Sequence, residues 1–312
     1  MNRTNTTPDR DINFMSLATA MGVLSLVVCI ASLVLLGVRG LNLGLDFTGG
    51  TVLEVTATEE IQLEPVREVL SAEGYNDALV QYFGSTREVS VRVPPRDGEN
   101  GDEIGHQVFA LIKSVAVGAE LQRVEFVGPQ VGDELRDQSG LAILMAMLLM
   151  SLYIWFRFSN KFGIATVVAL VHDVIVVLGA FALMQWTFDL TVLAAVLAVV
   201  GYSINDTIVI ADFIREDFRS SRGSQDTREI LNRAITRTLS RTMITGLTTL
   251  LVLVALYAFG GEMIRGFSIT LIIGVIVGTY SSIYVASCVL LAMKVTKEDF
   301  LVPEVKDVEE MP

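Results

Sequence analysis

The chain is poor in residues with which proteins bind metals or carry out nucleophilic chemistry. Its 312 residues include two cysteines and two histidines. Cys29 and Cys288 stand in separate apolar runs, and His106 and His172 are also far apart in sequence, so no metal-ligand spacing occurs. Gly-Lys does not occur either, which excludes ATP hydrolysis through a Walker A loop. We therefore expect no enzymatic activity, no metal and no cofactor.

Basic residues are also scarce, and the acidic ones are concentrated in one segment. The formal net charge is −12, and residues 39–137 hold 8 basic and 18 acidic side chains, or 8 − 18 = −10. Nucleic-acid binding needs Lys and Arg that neutralise phosphates, so this segment argues against a nucleic-acid partner. Its charge is typical of a solvated surface.

Long apolar runs are what the chain has in excess. Hydrophobic residues make up 52% of it and the mean hydropathy is +0.55, which predicts a polytopic α-helical membrane protein. A span needs about 20 apolar residues, and six segments qualify, although the second is short unless it starts earlier. They are residues 15–38, 141–155, 162–184, 190–213, 242–259 and 267–293. The first run lacks a cleavage site and is predicted to remain as an anchor.

Loop charges predict the orientation of these spans. The loops after the second, fourth and sixth spans carry Arg or Lys, whereas the loop after the third carries neither. By the positive-inside rule both termini are predicted to be cytoplasmic. In the inner membrane of a Gram-negative cell, residues 39–139 would then lie in the periplasm. The arginine-rich residues 215–241 are predicted to form an amphipathic segment at the cytoplasmic surface, and residues 294–312 an acidic tail.

The periplasmic segment has the pattern of a small α+β domain. Four alternating, β-branched stretches predict strands, and two stretches with helical spacing predict helices. The strands are 50–58, 78–84, 87–93 and 119–129, and the helices are 61–75 and 101–115. This βαββαβ order is that of a ferredoxin-like fold. Just before it, Asp46, Gly49 and Gly50 are predicted to form a hinge or brace, because glycine permits a sharp bend.

A few ionisable residues interrupt the spans, and such groups are costly enough in a membrane to suggest function. Asp206 lies nine residues from the inner end of the fourth span, roughly 13 Å deep, and His172 and Asp173 lie at a similar depth in the third. We predict that these groups handle protons, with Asp206 as the carrier. A structural role remains the alternative for Asp206 and for the His172–Asp173 pair.

The fifth span begins with a polar stripe on one side of its helix. The stripe consists of Arg241, Thr245, Thr248 and Thr249. Arg241 reaches about one turn inward, so we predict that it pairs with Asp206, and binding of lipid phosphate is its alternative. Burial favours a neutral acid and a nearby guanidinium favours the carboxylate, so a change in their separation would control proton uptake and release.

Two further groups of residues are predicted to support this site. One supplies hydrogen bonds near the middle of the membrane and consists of Ser203, Asn205 and Tyr280. The other recurs every four residues in the sixth span, which permits close helix packing, and consists of Gly274, Gly278 and Ser282.

Six stretches of the chain, in this order and spacing, resemble the SecF branch of the SecD/SecF family of bacterial protein export. They are LGLDFTGGT (43–51), VGPQVGDEL (127–135), ALVHDV (169–174), VVGYSINDTIVIADFIRE (199–216), TLSRTMITGLTTLL (238–251) and GTYSSIYVAS (278–287). The resemblance covers essentially the whole chain. Phe213 and Gly246 depart from the family pattern, which commonly has a basic residue and a serine there.

The resemblance implies one half of a pump related to the RND superfamily. Its six spans would pair with six from SecD, and the heterodimer would use the proton motive force to promote late, ATP-independent steps of export. The implied partners are the SecYEG channel, accessory Sec subunits and unfolded secretory polypeptide. Asp206 and Arg241 match the family's proton-conducting positions.

Two other functions stay open at this point. An RND-type proton-coupled antiporter of small solutes is one, although a single six-span half lacks the second repeat and the large outer domains of such pumps. A scaffold that only stabilises SecD is the other, and in that case Asp206 would be dispensable.

Overall fold

A computed structural model of the chain describes residues 11–96, 101–220, 226–296 and 299. After a short 3-10 helix at Phe14–Ser16, the helices are α1 (Ala18–Val38), α2 (Leu45–Thr48), α3 (Leu63–Ala72), α4 (Gly101–Val115), α5 (Pro129–Arg157), α6 (Asn160–Met184), α7 (Leu190–Ser220), α8 (Thr227–Phe259), α9 (Glu262–Ile283) and α10 (Val285–Ala292). The strands are β1 (Asn42–Leu43), β2 (Gly50–Thr56), β3 (Leu79–Phe83), β4 (Ser85–Val93), β5 (Glu120–Val127) and β6 (Thr187–Phe188).

The predicted ferredoxin-like domain between the first two spans is confirmed. Its antiparallel sheet has the strand order β3-β4-β2-β5, and α3 and α4 cover one face. Alternate strand residues such as Leu53 and Val91 are fully buried under Val66 and Val108 of these helices. This follows from the strand geometry, because successive side chains point to opposite faces. The other sheet face therefore carries the strand residues between these, among them Arg92.

The six predicted membrane spans are also confirmed as helices long and apolar enough to cross a membrane. Those of α6, α7 and α9–α10 are about half buried and form the centre of the bundle, whereas few residues of α1, α5 and α8 are buried. Close packing in the centre depends on small residues. A Cβ at Gly274 of α9 would lie 2.0 Å from Val199 of α7, so only glycine fits this contact.

Several predicted boundaries were wrong because hydropathy detects only the apolar part of a helix. The helix that contains the second span begins at Pro129, twelve residues before the apolar run predicted from residue 141, and proline suits the first turn of a helix. The last span is broken at Tyr284 into α9 and α10. Because α5 begins so early, the last strand of the outer domain ends at Val127, before the predicted boundary at residue 139.

The amphipathic segment predicted for residues 215–241 is formed by the ends of two long helices. Its described residues continue α7 to Ser220 and then begin α8 at Thr227, with Asp226 as the N-cap. The apolar face of this part of α8 is buried against other helices of the chain. It consists of Ile230, Leu231, Ala234, Ile235 and Thr238. Residues 1–10, 297–298 and 300–312, with most of the predicted tail, lie outside the described residues.

Candidate functional site

A buried carboxylate in the third span joins the three central segments of the bundle. Asp173 of α6 is completely buried, and its Oδ2 accepts hydrogen bonds from Ser203 Oγ of α7 at 2.5 Å and Ser281 Oγ of α9 at 2.7 Å. His172 Nδ1 lies 2.9 Å from Asp173 Oδ1. Three groups thus satisfy both carboxylate oxygens, as buried polar groups require.

Small residues on α9 make this cluster possible. A Cβ at Gly278 would lie 3.1 Å from Ser203 Cβ, so α9 approaches α7 closely at this level. This approach brings Ser281 to Asp173, while the buried Ser282 Oγ donates to Thr279 O. The sequence predicted Ser203 as a hydrogen-bonding residue and Ser282 as a packing residue. Ser281 was only one of several hydroxyls near the middle of the sixth span, and its position three residues after Gly278 was the available signal.

Asp206 lies one helical turn from Ser203 and differs from Asp173 in its environment. Its side chain is 5% exposed, and Oδ2 has no hydrogen-bond partner among the described residues. No hydrogen bond of the described residues joins it to His172 or Asp173, so the three groups form no single network. Tyr202 Oη, on the preceding turn of α7, is buried without a partner in the same part of the chain.

Arg241 lies at the start of the apolar part of α8, and its charge acts on the Asp206 carboxylate. The two side chains do not touch in the described structure, which shows no ion pair between them. Arg241 is exposed on the surface of the chain. The Asp206 carboxylate is thus buried with one oxygen unpaired, and the Arg241 guanidinium lies nearby on a long side chain without forming a salt bridge to it.

The remaining polar stripe of α8 turns away from α7. Thr245 and Thr248 are exposed and Thr249 is half-buried, and their hydroxyls donate to carbonyls one turn earlier on the same helix. Asn205 of α7 is exposed too and does not face a helix of this chain. We define the open polar face as Asn205, Arg241, Thr245 and Thr248.

Tyr280 connects the cluster to the first span. Its hydroxyl donates to Met21 O at 2.8 Å and lies 2.7 Å from Ser25 Oγ of α1. The Tyr280 ring also lies 6.2 Å from the His172 imidazole, centroid to centroid. Tyr280 thus holds α1 and α9 together beside His172.

The residues predicted as a hinge lie where the outer domain joins the bundle. Asp46 Oδ2 accepts from Leu190 N, the first residue of α7, at 2.9 Å. Gly49 and Gly50 have φ values of +68° and +111°, and a Cβ at Gly50 would lie 2.3 Å from Val93 O. Asp189 was missed, although an Asp before an apolar helix is a typical N-cap signal. Its Oδ1 accepts from Val192 N at 2.8 Å.

An ion pair between Arg237 and Asp217 holds α8 and α7 together at the inner end. Arg237 Nη1 lies 2.5 Å from Oδ1 of Asp217, whose side chain is buried, and the Arg237 guanidinium lies 4.7 Å above the Phe213 ring. Phe213, a departure from the family pattern, therefore has a partner here. Among the described residues, no group of three or more His, Cys, Asp or Glu side chains could hold a metal ion.

The comparisons with known proteins agree on one family. A family model described as protein export membrane protein SecD/SecF, C-terminal, matches residues 107–296, and the SecD/SecF GG motif matches residues 34–60. The protein translocase subunit SecF of Vibrio alginolyticus is 46% identical over 97% of this chain and 98% of its own length. That of Pseudomonas aeruginosa is 48% identical over 95% of this chain and 96% of its own length.

Solved structures give the same result. The crystal structure of SecDF from Thermus thermophilus matches with a TM-score of 0.84 at 38% identity, over 92% of this chain. The chain spans 39% of that SecDF chain. SecDF in a super-membrane-facing form matches with a TM-score of 0.67 at 37% identity. The chain therefore belongs to the SecF family of protein translocase subunits.

Proposed function

We propose that this chain, paired with SecD, uses the proton motive force to promote late, ATP-independent steps of protein translocation through the SecYEG channel. The observation that carries the proposal is Asp206: a buried carboxylate inside a membrane span, with one oxygen lacking a partner and the charge of Arg241 nearby. Ionisable groups in spans commonly mark proton pathways.

The chemistry follows from the separation of these two residues. When Arg241 is distant, burial favours the neutral acid, so Asp206 binds a proton. When a helix movement brings the guanidinium closer, it favours the carboxylate and the proton leaves. Each charge that crosses a potential of 100 mV supplies about 2.3 kcal/mol.

The open polar face supports a SecD partner. Asn205, Arg241, Thr245 and Thr248 are exposed on this chain, within helices of membrane-spanning length. Exposed charged and amide groups are costly in lipid, so a second protein surface would lower that cost. The solved SecDF chain is much longer than this one, which leaves room for a second half.

The orientation of the chain in the membrane determines which partners it can meet. Both termini lie in the cytoplasm and the ferredoxin-like domain lies in the periplasm, as the loop charges favour. There the domain can meet unfolded polypeptide that leaves the channel, with accessory Sec subunits nearby. The chain acts as a translocase subunit and not as an enzyme, and it needs no cofactor other than protons.

The test is gradient-driven export by the intact complex with SecD and SecYEG in proteoliposomes. Asp206→Asn should abolish the part of export that depends on the proton gradient. Asp212→Asn is the matched control, because Asp212 lies on the same helix but is 41% exposed in a weak surface ion pair with Arg157. Unchanged gradient-dependent export in Asp206→Asn would refute the proposal. Solute exchange by this chain without SecD would instead support the antiporter.

A further inference from the structure

The boundary between the outer domain and the membrane helices is bridged by an arginine that the proton chemistry does not use. Arg92 lies on β4, and its Nη1 donates to Leu43 O at 2.7 Å. Its neighbours Val91 and Val93 are fully buried beneath the helices, so Arg92 points from the opposite sheet face. Arg92 thereby joins the central sheet of the domain to β1, which lies outside the domain.

The segment that accepts this bond is fixed to the start of α7. Strand β1 pairs in parallel with β6, with Leu43 opposite Phe188, and Gly44 N donates to Phe188 O at 2.7 Å. A Cβ at Gly44 would lie 3.0 Å from Asp189 Cβ, so the two backbones are in close contact. A displacement of Leu43 would therefore also displace the paired strand β6 and the loop before α7.

Two carboxylates surround this point and hold the first turn of α7. Asp46 accepts from Leu190 N and Asp189 from Val192 N. Both charges act on the half-buried guanidinium: burial lowers the pKa of Arg92, and Asp46 and Asp189 raise it. Arg92 thus lies within electrostatic range of both carboxylates at the outer end of α7, while its hydrogen bond goes to Leu43 O.

Helix α7 is the helix that carries Asp206. Asp206 lies 16 residues after Leu190, roughly 24 Å along a straight helix. A helix of this length transmits a displacement of one end to its middle, because its backbone hydrogen bonds keep it stiff. The contact at Arg92 is therefore connected mechanically to the proton site.

Two solved SecDF structures differ in the part that corresponds to this chain. The two solved SecDF structures match the same 92% share of this chain at 38% and 37% identity, but with TM-scores of 0.84 and 0.67. The part of SecDF that corresponds to this chain thus differs in shape between the two structures. The present structure resembles the first more closely.

We propose that Arg92 is a positioning residue that couples the outer domain to α7, through Leu43, Asp46 and Asp189. The domain turns about Gly49–Gly50 and the Gly128 linker to α5, and the Arg92 contact makes α7 follow. This inference rests on the proposed function, because it assumes that α7 carries the proton-binding group. Without Arg92, protons cross but do not drive polypeptide movement.

The decisive experiment measures proton flux and polypeptide transport together, in proteoliposomes with the complete SecD-containing complex and SecYEG. Arg92→Gln should lower transport about fivefold or more while proton flux persists, whereas Arg92→Lys should restore part of the coupling. Arg87→Gln is the matched control, since Arg87 is exposed on the same strand. Transport by Arg92→Gln equal to that of the Arg87→Gln control would overturn the proposal.

A second measurement separates coupling from mere stability. Spin labels at Glu103→Cys in the outer domain and Met184→Cys at the end of α6, both exposed sites, report the domain position in a background without Cys29 and Cys288. Arg92→Gln should broaden their distance distribution, and an unchanged distribution would contradict the proposal. Asp206→Asn distinguishes the two hypotheses: if it leaves transport intact, the proposed function fails, whereas failure of the Arg92 inference leaves the Asp206 effect in place.

Discussion

Asp173 offers a quantitative test of how the central helices are held together. Its two oxygens accept hydrogen bonds from Ser203, Ser281 and His172, and it is completely buried. Asp173→Ala leaves all three groups without their acceptor. At about 0.6 kcal/mol for each membrane hydrogen bond, the loss is about 2 kcal/mol, and the cavity and unpaired polar groups raise it to about 3–4 kcal/mol.

Asp173→Asn should be much milder. The amide oxygen still accepts from both serines, and the amide nitrogen donates to His172 Nδ1 if the imidazole adopts its other tautomer. We expect a cost of about 1 kcal/mol. Gradient-driven transport should survive, because the complete hydrogen bonding of the cluster favours the structural alternative for the His172–Asp173 pair over proton transfer.

The assay is reversible unfolding of the purified complex in mixed micelles. Asp173→Ala should lower the free energy of unfolding by at least about 1 kcal/mol more than Asp173→Asn does. Equal destabilisation by the two variants would refute the hydrogen-bond argument. Loss of proton flux in a well-folded Asp173→Asn would place Asp173 in the proton path instead.

Two further substitutions test backbone and packing arguments. Gly50→Ala should destabilise the outer domain by about 2–4 kcal/mol, because φ is +111° and the new Cβ would lie 2.3 Å from Val93 O; an unchanged melting temperature would contradict this. Gly246→Ser should stabilise the bundle by up to about 1 kcal/mol, because its Cβ would lie 3.9 Å from the unpartnered Tyr202 Oη; Gly246→Ala, without the hydroxyl, is the control in the same melting assay.

The fold could be predicted wherever a pattern repeats over enough residues. Alternation in β2 and β4 and the apolar runs of the spans gave correct elements, because burial imposes a regular period on the sequence. The paired strands β1 and β6 have two residues each, too few to show any period. The early start of α5 was missed because its first turns are polar.

The site could be predicted only in part, for a related reason. Asp206 and Arg241 stand out as ionisable residues in or beside apolar sequence, so their energetic cost reveals them. Ser281 is one hydroxyl among several in its helix, and only the packing of α9 on α7 selects it as the partner of Asp173. Likewise, Asn205 and Thr245 are polar in any arrangement, but their exposure depends on which helices lie beside them.

The central claim is that Asp206 takes up and releases a proton during the transport cycle. Infrared difference spectroscopy of the complex in membranes measures this directly, since a protonated carboxyl has its own C=O absorption. We expect a carboxyl band that changes when a proton gradient is applied and that is absent in Asp206→Asn but present in Asp212→Asn. A difference spectrum identical in the wild type and Asp206→Asn would contradict the claim.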